Sequence, residues 1–166
     1  MNFRFLLFFL ITSVTFAQEN TFPKAKVDEI VNRIQLPKFP DFKINVVKLG
    51  AKGDSVSNSK PFFDKAMALF KKNKGGTIVI PKGVYLLNGP IHFVSNVNLK
   101  IEKGAKIKFS DKPEHYLPMV LTSWEGTMLY NYSPLIYAYN CTNIAITGEG
   151  TIDGEGGKIW KSFKAK

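Results

Sequence analysis

Thr77-Ile78-Val79-Ile80-Pro81-Lys82-Gly83-Val84-Tyr85-Leu86 and Asn98-Leu99-Lys100-Ile101-Glu102-Lys103-Gly104-Ala105-Lys106-Ile107 decide the fold. Laid over one another at an offset of 21, they put Ile78 on Leu99, Ile80 on Ile101, Gly83 on Gly104 and Leu86 on Ile107. A third copy, Asn143–Ile152, follows 45 residues on, with Ile144, Ile146 and Ile152 in the apolar places and glycines at 148 and 150. Each copy reads as a short alternating strand, a glycine corner and a second short strand. Alternation sends one set of side chains to one face, and glycine takes the backbone angles of a sharp corner. A period of about 20–25 residues built from strands and corners is the mark of a solenoid whose coils stack. A hairpin sheet would instead carry Asn-Gly or Asp-Gly at its turns, and the repeats lack them. The expected fold is all-β, a right-handed parallel β-helix.

Outward from the repeat, the chain falls into segments. At the N-terminus, Arg4 precedes the apolar run Phe5–Ile11, and Thr15-Phe16-Ala17 offers a small-residue cleavage site before Gln18. The run is too short to cross a bilayer, so residues 1–17 read as a secretory signal peptide rather than an anchor. Residues 18–41 form a lead-in. Within it Val27, Ile30, Val31 and Ile34 have helical spacing, closed by Pro37 and Pro40. Phe42–Leu49 alternates as a strand, and Gly50–Asp54 turns the chain. A helix from about Pro61 to Lys72 is expected next, with Ser59 as its cap and Phe62, Phe63, Ala66, Leu69 and Phe70 on its apolar face. Lys71, Lys72 and Lys74 suit its C-terminal dipole, and Gly75-Gly76 ends it. A solenoid exposes an apolar cross-section, and this helix is the natural plug for the first coil. The β-helix itself is assigned to residues 42–166.

Residues 111–135 interrupt the repeat as a loop insertion, which accounts for the longer spacing to the third copy. The insertion holds Trp124, Glu125, Tyr130, Asn131 and Tyr132. Aromatic rings mixed with Glu and Asn suit a sugar, which offers apolar C–H faces and hydroxyl edges; the same rings would equally serve to pack the loop on the coils. Cys141 is the single cysteine, so no internal disulfide forms, and it reads as a small buried hydrophobe. The 23 basic and 13 acidic residues give a formal charge of +10. That balance fits attraction to a polyanion or simply a lysine-rich solvated surface. Export argues against nucleic acid as the partner.

Taken in order, several blocks carry a resemblance. They are Gly50-Ala51-Lys52-Gly53-Asp54, Pro81-Lys82-Gly83-Val84-Tyr85, Gly89-Pro90-Ile91-His92-Phe93, Trp124-Glu125-Gly126, Asn131-Tyr132-Ser133-Pro134 and Ile144–Gly154. The series resembles the N-terminal part of glycoside hydrolase family 28, the bacterial polygalacturonase-like enzymes, over roughly residues 41–160. The first blocks are shared with a wider pectate-lyase-like superfamily; Trp-Glu-Gly followed by Asn-Tyr-Ser-Pro is the most specific part. The resemblance implies a pectin-lyase-like β-helix and inverting hydrolysis of an acidic plant polysaccharide, pectin or polygalacturonate. It implies no cofactor or metal, no membrane partner after signal cleavage, and a monomer at full length.

The family's catalytic elements are an Asn-Thr-Asp, an Asp-Asp pair, a Gly-His-Gly and an Arg-Ile-Lys on later coils. None occurs in this sequence, and Arg33-Ile34-Gln35 precedes the first coil. Inverting hydrolysis needs a carboxylic acid and a carboxylate base about 6.5–9.5 Å apart. No catalytic residue is therefore assigned, Asp153 reads as a corner residue, and the chain is expected to be an N-terminal fragment of such an enzyme. Two other readings remain open: a non-catalytic carbohydrate-binding module using residues 111–135, or a structural β-helix segment of a lyase or tailspike. The first prediction concerns export. N-terminal sequencing of the exported protein is expected to start at or near Gln18, whereas intact Met1 in a membrane fraction would overturn the signal-peptide reading.

Overall fold

The computed structural model describes residues 23–157, so residues 1–17, read above as a signal peptide, and the Trp160–Lys166 end lie outside the described residues. The chain divides between Leu36 and Pro37. In the first unit, helix α1 (Lys24–Arg33) follows Pro23, carries a Lys26–Glu29 ion pair of 2.9 Å, and closes where Ile34 turns extended.

The second unit is a stack of coils. Its first coil comprises β1 (Lys43–Asn45) and β2 (Asp54–Asn58); α2 (Lys60–Lys72) follows. The second holds β3 (Gly76–Ile80), β4 (Gly83–Leu87) and β5 (Ile91–His92). The third holds β6 (Val97–Ile101) and β7 (Ala105–Phe109), then a hairpin of β8 (Val120–Trp124) and β9 (Thr127–Asn131), then β10 (Ile136–Tyr137). The last described coil has β11 (Ala145–Gly148) and β12 (Thr151–Asp153). Strands from successive coils pair in parallel on three faces, in the orders β1-β3-β6-β11, β2-β4-β7-β12 and β5-β10. Only the hairpin is antiparallel among the described residues. This is the expected right-handed parallel β-helix.

Inside the coils, identical positions stack as ladders. Ile44, Ile78, Leu99 and Ile146 form one rung series, and Tyr85, Ile107 and Ile152 another. Ile78, Leu99 and Ile107 are completely buried, each contributing about 1.5–3 kcal/mol by leaving water. Ile146 and Ile152, in the last described coil, stay 47% and 39% exposed.

On the first face the offset of 21 is observed, with Ile78 opposite Leu99 and Ile80 opposite Ile101. On the second face the offset is 22, because Gly83 pairs with Ala105 and Tyr85 with Ile107. The corner Glu102-Lys103-Gly104 is one residue longer than Pro81-Lys82. With a side-chain period of two, one residue exchanges the faces. Tyr85 and Leu87 therefore fill the core in place of the expected Leu86, which is only half-buried. The third copy shifts likewise: Ile146, not Ile144, meets Leu99, an offset of 47, while Ile152 meets Ile107 at the expected 45.

Three local expectations are corrected. Strand β1 ends at Asn45, whose side chain accepts the Val47 N–H at 2.9 Å and turns Val46–Leu49 into a 3-10 helix instead of strand. Ser59 holds the N-cap position of helix α2 as expected, but the capping bond comes from Asn58, whose Oδ1 accepts the N–H groups of Lys60 and Asn88, both at 3.0 Å. The buried Ser59 hydroxyl instead donates to the Lys52 carbonyl at 3.2 Å. Cys141 is half-buried, its Sγ 3.2 Å from the Phe93 carbonyl oxygen. Helix α2 buries Phe63, Ala66, Met67 and Phe70 and packs on β5 and the 3-10 turn, the plugging position at the first coil.

At Gly148 the backbone lies at φ +100°, and an added Cβ would collide with the Ile101 carbonyl oxygen. The ladder generates the second prediction. Ile78→Ala is expected to cost about 2–5 kcal/mol in denaturant unfolding, while Ile146→Ala costs about 1 kcal/mol or less. Equal losses at the two positions would contradict the ladder.

Candidate functional site

The insertion between β7 and β10 is ordered by its own chemistry. Ser110 starts it: the buried Tyr116 hydroxyl donates to the Ser110 carbonyl at 2.6 Å, and His115 Nδ1 lies 2.8 Å from Ser110 Oγ. Burial, with Asp111 nearby, pushes the Tyr116 hydroxyl up to about 12, so it stays a donor. The β8–β9 strands are rich in Val, Leu, Thr, Trp and Tyr, and a Glu125-Gly126 turn joins them. Both turn residues have positive φ, +48° and +83°, the geometry that matches strand twist. The sequence treats this segment as a loop because its turn is Glu-Gly rather than Asn-Gly. Tyr137 ties the hairpin to the coil, its hydroxyl donating to the Leu121 carbonyl at 2.8 Å.

The five candidate residues occupy different places. Trp124 is at the hairpin tip, 66% exposed, and Glu125 is the first turn residue. Cross-strand partners share a face, so Trp124 sides with Thr127, whereas Tyr130 sides with Leu121 on the opposite face. The hairpin thus separates Trp124 from Tyr130, which is 70% exposed. Asn131 closes the hairpin opposite Val120, and its Oδ1 accepts the Tyr132 N–H at 2.8 Å. Tyr132 lines a cavity of about 270 Å³, walled by Pro113, Tyr116, Pro134 and Leu135 with Ser110, Asp111, Ser133 and Gly154. Apolar walls with hydroxyls and a carboxyl at the edge suit a pyranose ring.

A second group was not singled out in the sequence. His92 on β5 lies beside Tyr137 on β10, ring centroids 5.1 Å apart, and Tyr137 stacks parallel to Tyr139 at 6.2 Å. His92 Nε2 sits 3.0 Å from the Ser133 hydroxyl, which donates to the Pro134 carbonyl at 3.1 Å. With its single proton spent there, Ser133 accepts from Nε2–H, so His92 is a donor rather than a base poised to activate the serine. The offset of 45 between the second and third copies also carries Ile91-His92 onto Ile136-Tyr137, a signal in the sequence that goes unused without the structure.

Two shifted carboxyls are structural. Asp54 falls to about 2 because the Ser57 hydroxyl and the N–H groups of Ser57 and Val56 bond its carboxylate. Asp153 is also lowered, by the Glu155 N–H at 3.0 Å and by Lys106 at 3.3 Å, and acts as a corner residue. Both shifts run opposite to what a proton-donating acid needs at neutral pH.

A family model described as "Rhamnogalacturonase A/epimerase, pectate lyase-like" matches residues 43–108. Among solved structures, a hyperthermoactive exopolygalacturonase from Thermotoga maritima is 43% identical with a TM-score of 0.78, covering 86% of this chain and 32% of that one. A family 28 exopolygalacturonase from Yersinia enterocolitica is 27% identical with a TM-score of 0.61, over 69% of this chain and 21% of its own. These likenesses support the polygalacturonase-like, family 28 resemblance. A probable polygalacturonase of Vitis vinifera is 30% identical over 128 residues, 72% of this chain and 26% of the relative. The chain spans about a fifth to a third of the length of these polygalacturonase relatives. A structure titled iota-carrageenase, 22% identical with a TM-score of 0.52, shares the fold alone.

The third prediction follows from His92. Burial lowers its proton affinity, with Lys60 adding to the effect, so the fold favours the neutral ring. Its contribution is present above the ordinary histidine value of about 6.5 and is lost as pH falls through the lower folded value. Between pH 7.5 and 4.5 the denaturation midpoint of the parent is expected to drop more than that of His92→Gln. Parallel curves would remove His92 from the acid response.

Proposed function

We propose that this chain forms the first coils of an exported, galacturonan-cleaving glycoside hydrolase that acts with inversion. The likeness to the Thermotoga maritima exopolygalacturonase carries the reading, because 43% identity holds over 86% of this chain. In the proposed reaction a water oxygen bonds to the anomeric carbon as the glycosidic bond to the leaving sugar breaks. One carboxylate removes the water's proton, and one carboxylic acid protonates the leaving oxygen. The family motifs supplying those groups do not occur in this sequence, so the later coils of a longer protein provide them. Short coverage of the relatives supports the same division of labour. The part left to this chain is to shape a sugar cleft with the hairpin and the Tyr132 cavity. The formal charge of +10 complements a polyuronate. Exo-attack is the favoured mode, following two of the matched structures, and the full-length protein is taken as monomeric.

The fourth prediction separates hydrolysis from mere binding. The 166-residue product is expected to release no reducing ends from polygalacturonate, and extension through the missing coils to restore release. Turnover by the short chain would overturn the division of labour; binding without turnover in the extended protein would favour a carbohydrate-binding module. In that longer protein Trp124→Ala is expected to raise KM several-fold with little change in melting temperature. An unchanged KM would reduce Trp124 to an exposed hairpin residue.

A further inference from the structure

A groove of about 530 Å³ lies where the C-terminal end of α2 meets the loops after β5 and β10. Phe70 and Phe93 give it a buried apolar floor. Lys71 and Lys74 reach it from α2 and the residues just beyond, and both are exposed. Neither joins an ion pair among the described residues, unlike Lys106 and Lys108, which are paired with Asp153 and Glu155. The lining contains no carboxylate. Two unneutralised cations beside an apolar surface make a local positive field, and the net charge of +10 reinforces it.

Tyr139 supplies the second element. Its ring is 54% exposed yet held parallel to Tyr137, at an interplanar angle of 2°. A ring already fixed loses little freedom when a flat apolar partner stacks on it. Next to it Asn140 adopts a left-handed backbone, φ +51°, and its side-chain amide makes no hydrogen bond among the described residues. The groove therefore combines an oriented ring, a free amide and two free ammonium groups.

We propose that this groove binds one residue of an acidic polysaccharide, a uronate, with the pyranose C–H face on Tyr139, the carboxylate held by Lys71 and Lys74, and a hydroxyl on Asn140. Charge complementarity and the lack of a lining carboxylate select the acidic sugar over a neutral one; the choice of galacturonate rests on the proposed function. The groove would hold polymer apart from the cleft shaped by the hairpin, as an accessory grip.

Calorimetric titration of the 166-residue chain with trigalacturonate and with its methyl ester tests it. Trigalacturonate is expected to bind, more weakly as salt rises, and the neutral ester to bind less tightly. Lys71→Gln/Lys74→Gln should weaken trigalacturonate about tenfold and leave the ester within about twofold, since only the charged form uses the ammonium groups. Tyr139→Ala should weaken both ligands. Circular dichroism matching the parent establishes that each variant is folded. No binding by the parent, or folded variants with unchanged Kd, overturns the groove. Reducing-end release by the extended protein is scored separately: release without groove binding sinks the groove alone, and groove binding without release sinks the hydrolase reading alone.

Discussion

Every other feature of this structure depends on the parallel register of the inward ladders. A single coil cannot bury both sides of its apolar rungs; Ile78 and Leu99 vanish from solvent because each is covered by the coil above and the coil below. Stacking then fixes what lies outside. Once Ile91 is set over Ile136, His92 and Tyr137 are neighbours, Tyr139 stacks in turn, and Tyr137 is placed to hold the hairpin at Leu121. The hairpin and the aromatic stack are attachments whose positions the ladders dictate.

The same dependence explains the division between strands and insertion. The strands are short, and their buried positions tolerate little change because a one-residue slip would send the apolar set outward. Residues 111–135 leave the coil at β7 and return at β10 without disturbing either pairing. They supply their own order through the Tyr116–Ser110 bond and the Glu125-Gly126 turn, so exposed chemistry is carried on a segment the core does not constrain.

Much of the fold was legible in the sequence because its cause is periodic. The Ile78–Leu99 and Ile80–Ile101 pairs and the helix at residues 60–72 follow from alternation, helical spacing and glycine placement. The misplacements have equally local causes. Corner length is invisible to a repeat aligned without gaps, which put Leu86 where Tyr85 belongs. Asn45 competes for the backbone through its own side chain and stops β1 early, and Asn58 outdoes Ser59 because it reaches both Lys60 and Asn88. Composition named the aromatic residues of the insertion but not their sides, which only the hairpin register sets, with Trp124 and Tyr130 on opposite faces. The His92–Tyr137 contact is long-range and rests on a match only two residues long, too short to stand out by itself.

The unequal corners have a broader meaning. The two faces keep separate offsets, 21 and 22 between one pair of coils and 47 and 45 between the next, so each face behaves as a vernier against the other. Length is quantised within strands and free at the joints. A lineage can therefore lengthen or shorten its bends, or graft whole hairpins there, while inheriting the rungs intact, and the solenoid becomes a rack on which new surfaces are hung one joint at a time.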